Sequence, residues 1–363
     1  MTMRIRCGVL PMLLLGSIAC SAGALYSATD LGTLGGTSTL ARDINNVGQV
    51  TGFSQTGAGE THAFLYSGGQ MVGLGALGGN LSVGTSINDE GEITGYANTA
   101  TTQHAFLYSG GHMTDLDPRG PYSSGNGINN AGQVTGIYYV TASGPIRAFV
   151  YGDGELHNLG ALPGSCCTVG DGINDAGEVT GSSRFPDQTG SNDHAFLYSS
   201  GEMVDLSDSL GSCCSIGVSI NTAGQVTGNL VTRTASRAFV YSHGHVTFLG
   251  DLGRNSSESA DINDAGQVVG ASQLPDGTLH AVLYSDGGIV DLNSLVNLDP
   301  ARHITLYYGA GINDKGQIVV NAYAPEFGFG IHSFLLTPVP EPGTLALLVT
   351  GLVAWGCFRL RRR

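Results

Sequence analysis

The sequence predicts an all-β chain folded as a seven-bladed β-propeller, and three observations predict it. A tetrad, Ile-Asn-x-x-Gly, recurs seven times. Each recurrence sits in a unit long enough for four short strands. The chain also begins with the one strand its last unit lacks. A β-solenoid is the competing architecture.

The tetrads start at Ile44, Ile87, Ile128, Ile173, Ile220, Ile262 and Ile312, at steps of 43, 41, 45, 47, 42 and 50 residues. Each is followed by Gln or Glu and then Val or Ile, as in Gln49-Val50 and Glu92-Ile93. Thr-Gly comes next in five units; the sixth has Val269-Gly270 and the seventh Val319-Val320. A second signature follows in every unit. It is His-Ala-Phe-Leu-Tyr from His62, His104 and His194, and Arg-Ala-Phe-Val-Tyr from Arg147 and Arg237. It is His-Ala-Val-Leu-Tyr from His280 and His-Ser-Phe-Leu-Leu from His332.

Within the first unit, strand a ends at Ile44. Asn45 to Gly48 is a turn, because Asn hydrogen-bonds its own backbone and Gly accepts positive φ. Strand b covers 49–53. Strand c covers 62–66, with Ala63 and Leu65 on one face and His62, Phe64 and Tyr66 on the other. Ser67-Gly68-Gly69 is a hairpin turn into strand d, 70–74, and Leu-Gly-Gly crosses to the next unit. No window has a helical period. Four strands in roughly 40–45 residues match a propeller blade.

Closure follows from the ends of the repeat array. Residues 26–36 align with strand d and its crossover, 70–79, whereas the last unit stops after strand c. In a ring, residues 26–32 complete the seventh blade and remove two free sheet edges.

Composition narrows function. Glycine supplies 57 of 363 residues, yet without a collagen period. Hydrophobic residues make up 41%, enough for a core. Net charge is −14, and residues 25–338 hold nine bases against 28 acids. Nucleic acid is excluded as a partner, because it requires a basic face.

Both ends carry targeting patterns. Residues 1–24 have a charged start (Arg4, Arg6), a short apolar run and an Ala22-x-Ala24 cleavage site, the pattern of a secretory signal entering the Sec export machinery. Residues 339–363 hold Pro340-Glu341-Pro342, a 16-residue apolar run from Gly343 to Phe358, and the basic cluster Arg359, Arg361, Arg362 and Arg363. As a helix the run spans about 24 Å, short of a ~30 Å bilayer core, so this transmembrane helix suits transient passage. The arginines should stay cytoplasmic.

This tail resembles the PEP-CTERM sorting signal of Gram-negative, exopolysaccharide-producing bacteria. The resemblance implies that exosortase is a partner and that the tail is removed, much as a GPI signal is. It implies an exported protein of the cell surface or extracellular matrix, in inner-membrane contact only during transit. The units over residues 25–338 resemble the HAF repeat of bacterial extracellular proteins, named for His-Ala-Phe. Departures are Arg147, Arg237, Val282 and Leu336. That resemblance implies an extracellular setting and carries no catalytic residues with it.

The chemistry is spare. Five histidines, His62, His104, His194, His280 and His332, occupy one repeat position. Blade packing explains them better than a metal, because equivalent positions on different blades lie too far apart to share an ion. No metal site is expected. The tetrads hold Asp and Asn in patterns such as Asp43-Ile-Asn45, for which weak Ca2+ binding is the alternative to a turn. Calcium loops are normally closed by a bidentate carboxylate; Gln49 stands there instead. No nucleophile elbow, His-Glu-x-x-His or phosphate loop occurs, so no catalytic residue is assigned and no enzyme is expected. A binding protein for glycan or protein, working through the b–c loops (55–61 and 182–193), is the expected function. A hydrolase or lyase acting on extracellular polysaccharide is the alternative. Its locus would be the insertion 293–308, with Asp299, Arg302, His303, Tyr307 and Tyr308.

Four cysteines remain between the targeting segments: Cys166, Cys167, Cys213 and Cys214. The pairs are 47 residues apart, so they occupy equivalent places in neighbouring units. In an oxidising compartment this suggests disulfides. A cross-blade bridge is favoured over vicinal bridges, free thiols or bound metal.

Overall fold

Residues 25–339 of the computed structural model are described, apart from 187–190, 212–213, 233–234 and 324–329. The signal region 1–24, the sorting motif at Pro340, Glu341 and Pro342, the arginines to Arg363, and Cys213 lie outside them. Twenty-eight strands form seven four-stranded antiparallel sheets. The first blade is Gly35–Ile44, Val50–Thr56, Thr61–Ser67 and Gln70–Gly73, strands a to d from the channel outward. The expected unit is therefore the observed blade. Helix is confined to one turn at Ser207–Leu210 and 3-10 turns at Leu292–Ser294 and Pro300–Arg302.

Closure is as expected. Tyr26–Asp30 pairs antiparallel with Ile331–Pro338, from Tyr26 opposite Pro338 to Asp30 opposite Phe334. The seventh sheet is thus built from both ends of the chain.

Each repeated residue has a structural task. The Phe of the second signature is fully buried at Phe64, Phe106, Phe149, Phe196 and Phe239. Each such burial contributes roughly 1.5–3 kcal/mol. The two faces of strand c serve two seams. Phe64 and Tyr66 pack with Val319 of the seventh blade, while Ala63 and Leu65 pack with Ile93 and Phe106 of the second. The Ala63 N–H donates to Ser82 Oγ of the next blade at 2.8 Å, a link repeated from Ala105, Ala195 and Ala238. In the five Thr-Gly units the buried Thr hydroxyl donates to the carbonyl of the Phe, at 2.8 to 3.0 Å.

Four of the repeat histidines face an aspartate of strand d, whereas His62 lies 3.5 Å from Glu60. Nδ1 of His104, His194 and His280 lies 2.7 to 2.8 Å from Asp115, Asp205 and Asp291. His332 faces Asp30 at 3.6 Å, so the N-terminal strand supplies the aspartate due to the seventh blade. Burial alone would raise Asp205, but hydrogen bonds from His194 and Ser207 outweigh it and hold the carboxyl below its ordinary range.

The disulfide expectation falls partly on Cys213, outside the described residues. Cys166 and Cys167 carry free thiols, and Cys214 Sγ lies 3.8 Å from Asn192 Oδ1 of the fourth blade.

Candidate functional site

The tetrads close one face of the ring. In each, the Asn carboxamide oxygen accepts backbone N–H groups of its own turn, as Asn45 does from Val47 and Gln49. Its Nδ2 donates to the Gln or Glu four residues on and to the backbone carbonyl of the next blade's Asn. The chain of contacts runs Asn45, Asn88, Asn129, Asn174, Asn221, Asn263, Asn313 and back to Asn45, at 2.8 to 3.1 Å. One buried circle of seven carboxamides thus links every blade to the next. Around it runs a second set of contacts. In six blades the N–H after the tetrad Asn donates to the following blade's side chain, as from Asn46 to Asp89 and from Asp314 to Asn46. The tetrad Asn oxygens accept from the backbone of their own turn, as at Asn45. Among the described residues no three His, Cys, Asp or Glu side chains are placed to hold a metal ion.

Chain direction fixes the two faces. Strand a runs toward the tetrad turn, so the a–b turns and c–d hairpins share that face. The b–c loops and d–a crossovers share the opposite one, the loop face. The channel between them is lined by the seven a strands.

Every strand a carries a β-bulge just before the tetrad. A bulge re-aims the extra side chain. Here the extra residue lies two positions before the tetrad Ile, and in all seven blades it lines the channel: Arg42, Thr85, Asn126, Asp171, Val218, Ala260 and Ala310. One position later stand Asp43 and Asp261, in places held by glycine at Gly127, Gly172 and Gly311. The glycines keep the narrow tier open: a Cβ on Gly127 would meet the Asp171 carbonyl at 2.8 Å.

Three carboxylates therefore converge in the channel. Asp43 accepts from Ser86 Oγ at 2.7 Å and from the N–H groups of Ile44 and Ile87. Asp261 accepts from Ser219 Oγ, Ile262 N and Ile312 N. Asp171 receives only a long contact, 3.4 Å, from Asn126 Nδ2. All three residues are half-buried in the channel wall. Burial pushes Asp171 up to about 7. Burial, and then the charge of Asp43, push Asp261 up to about 7. Asp43 is raised by burial against its three hydrogen bonds.

The channel widens toward the loop face into a cavity of about 470 Å³, lined by the bulge tier together with Leu40, Ile216, Tyr307, Tyr308 and Asn321. Burial raises both tyrosines. A second bulge, between Leu306 and Tyr308, brings the two rings to the channel side by side.

The insertion 293–308 does not assemble a site. Leu295, Val296, Leu298 and Ile304 pack on the seventh-blade core beside Tyr26 and Ala28, and Asn293 exchanges two hydrogen bonds with Leu306. The Tyr26 N–H donates to the Leu295 carbonyl. The segment braces the closing strand. Asp299, Arg302 and His303 lie exposed on it, apart from the channel residues Tyr307 and Tyr308.

The loop face also carries a cleft of about 950 Å³ between the first two blades, lined by Glu60, Asn80, Asn98, Thr99, Gln103 and Tyr122 among others. Gln103 Nε2 donates to the Tyr122 hydroxyl at 2.7 Å. Sequence reasoning named the b–c loops but missed the bulge tier. Its signal was a position two residues before the tetrad that changes from Arg through Thr, Asn and Asp to Val and Ala around the ring.

The fold and the tail together define the class: an exported β-propeller addressed to the cell surface. The PEP-CTERM protein-sorting motif is found at residues 338–363, and it implies sorting by exosortase. Among the described residues no helix is long and apolar enough to cross a membrane. No curated protein matches the chain in sequence. Solved structures similar to it include the β-propeller domain of the Trilobed protease from Pyrococcus furiosus, at 12% identity and TM-score 0.52, over 70% of this chain and 81% of that one. They also include TolB from Acinetobacter baumannii (11%, 0.42, 80% of each chain) and the Aleuria aurantia lectin (12%, 0.38, 88% and 97%). At such identities the likeness is one of fold.

Proposed function

We propose that the protein is a non-catalytic component of the cell surface or extracellular matrix that binds glycan through the loop face of its propeller. The observation that supports this most is the division of labour between the faces. The tetrad face repeats one hydrogen-bonding scheme through all seven blades, whereas the loops of the opposite face differ in length and composition and border a polar cleft around Tyr122. Variable loops on a rigid scaffold are where binding resides. On this reading the units are HAF-type repeats, residues 1–24 are removed after export, exosortase removes the tail, and the partner is the exopolysaccharide of the producing cell. The test is a glycan array, followed by titration of the binding polysaccharide against wild type and Tyr122→Ala. Weakened binding by a folded Tyr122→Ala protein supports the reading; a wild-type protein that binds no glycan overturns it.

The channel carboxylates favour a second reading, a hydrolase or lyase acting on polysaccharide, since enclosed acids with raised pKa values are the groups such chemistry uses. A panel of polysaccharide-cleavage assays tests it. Cleavage that is lost in Asp171→Asn would establish it over the first.

A further inference from the structure

The bulge tier is asymmetric around the ring. Four consecutive blades contribute Arg42, Thr85, Asn126 and Asp171; the remaining three contribute Val218, Ala260 and Ala310. Tyr307 and Tyr308 stand over the apolar arc, on the strand that ends in Ala310 and Ile312. We propose that the wide mouth of the channel is a binding site for a single neutral sugar residue. The proposal deepens the glycan-binding reading and rests on it, but it places a separate site away from the cleft at Tyr122.

The chemistry of the two arcs carries the argument. A pyranose presents hydroxyls around its edge and C–H groups on its faces. The polar arc offers an ordered set of partners: a pure donor in Arg42, groups that both donate and accept in Thr85 and Asn126, and an acceptor in Asp171. The apolar arc and the tyrosine rings offer a surface for the C–H face, with phenolic tips that still bond to polar neighbours. A volume of about 470 Å³ falls in the range of small-molecule sites. The charge balance argues against an acidic sugar: Asp171, with Asp43 and Asp261 one tier below, faces the single guanidinium of Arg42. A wholly apolar ligand would desolvate Arg42 and Asp171 without pairing them, since only Thr85 and Asn126 already donate to carbonyls of the next blade. Asp171 accepts only its long contact from Asn126, so its carboxyl has capacity for a ligand hydroxyl.

The experiment uses the secreted protein and neutral methyl glycosides (gluco, galacto, manno and fuco), with glucuronate as the acidic control. Saturation-transfer difference NMR detects binding, and titration gives affinities. Wild type should bind at least one neutral glycoside and bind glucuronate more weakly. Arg42→Ala and Tyr307→Ala, each with a normal melting curve, should each lose about tenfold or more in affinity, the loss expected from one good contact. Lys315→Ala, exposed on the tetrad face, should bind the monosaccharide as wild type does. A wild type that binds no neutral glycoside, or prefers glucuronate, overturns the proposal. So does monosaccharide binding lost in Tyr122→Ala but intact in both channel variants, a result that would leave the loop-face reading standing.

Discussion

Asp171→Asn should stabilise the protein at neutral and alkaline pH and do nothing in acid. The carboxyl is enclosed in the channel, and burial alone pushes it up to about 7. In the unfolded chain it would titrate near 3.9. The folded state therefore binds more protons than the unfolded state between those values. Stability from this group is fully present below about pH 4 and is lost as pH rises through about 7. Three units at 1.36 kcal/mol each put the loss at about 4 kcal/mol. Asn removes the ionisation and keeps an oxygen for Asn126 Nδ2 to donate to. The variant should match wild type at pH 4 and exceed it by up to about 4 kcal/mol at pH 8, roughly 8 °C in Tm at about 2 °C per kcal/mol for a chain of this size. Urea unfolding at pH 4, 6 and 8 measures it. A difference independent of pH, or a variant less stable than wild type at pH 8, would refute the claim that the channel holds a destabilised carboxylate.

Other outcomes follow from the same structure. Deleting residues 26–32 removes a five-residue ladder and the buried Leu31, and should cost roughly 5 kcal/mol from burial and edge exposure, while deleting 141–144 in the largely exposed b–c loop of the third blade should cost far less; equal melting temperatures would contradict closure by the N-terminal strand. Asn174→Ala strips four hydrogen bonds from a buried turn, one of them the inter-blade link, and should cost about 3 kcal/mol or more. Thr180→Val should cost about 1 kcal/mol or less, since Val269 and Val319 fill the same position in other blades; chemical denaturation compares the two. In secreted protein both Cys166 and Cys167 should react with iodoacetamide without reduction, and a peptide map showing either one bridged would overturn the assignment. Intact mass from an exosortase-positive host should lack Arg363, and a mature species retaining it would refute processing of the tail.

Blade number, strand order and the split seventh blade were legible because each is written in spacing. The tetrad repeats at near-constant steps, and the N-terminal residues match strand d. The partners of the repeated residues were not legible. Nothing in the spacing says that Asn45 reaches the carbonyl of Asn88, 43 residues on, or that His104 meets Asp115. Those contacts need the ring curvature and the strand register. The channel site was hidden by the bulge. A regular strand alternates its side chains, so the residues two positions before the tetrad carry no mark of their orientation until the extra residue is seen.

The bulge also explains why this one position varies. The tetrad Asn, the Gln or Glu beyond it and the Phe of strand c each have partners that the neighbouring blade supplies, and a change there breaks a contact in the ring. The bulge residue has no ladder partner on strand b, and its side chain stands in the channel. Thr85 and Asn126 each donate to a carbonyl of the next blade, at 2.9 and 2.8 Å, but Val218, Ala260 and Ala310 fill the same place without such a bond, so the fold tolerates either kind of residue. In seven near-copies of one unit it has become Arg42, Thr85, Asn126, Asp171, Val218, Ala260 and Ala310. The polar members occupy four adjacent blades rather than being scattered, an order that blade packing does not require. A ligand held in one orientation across the channel, hydroxyls to one side and carbon to the other, would require it.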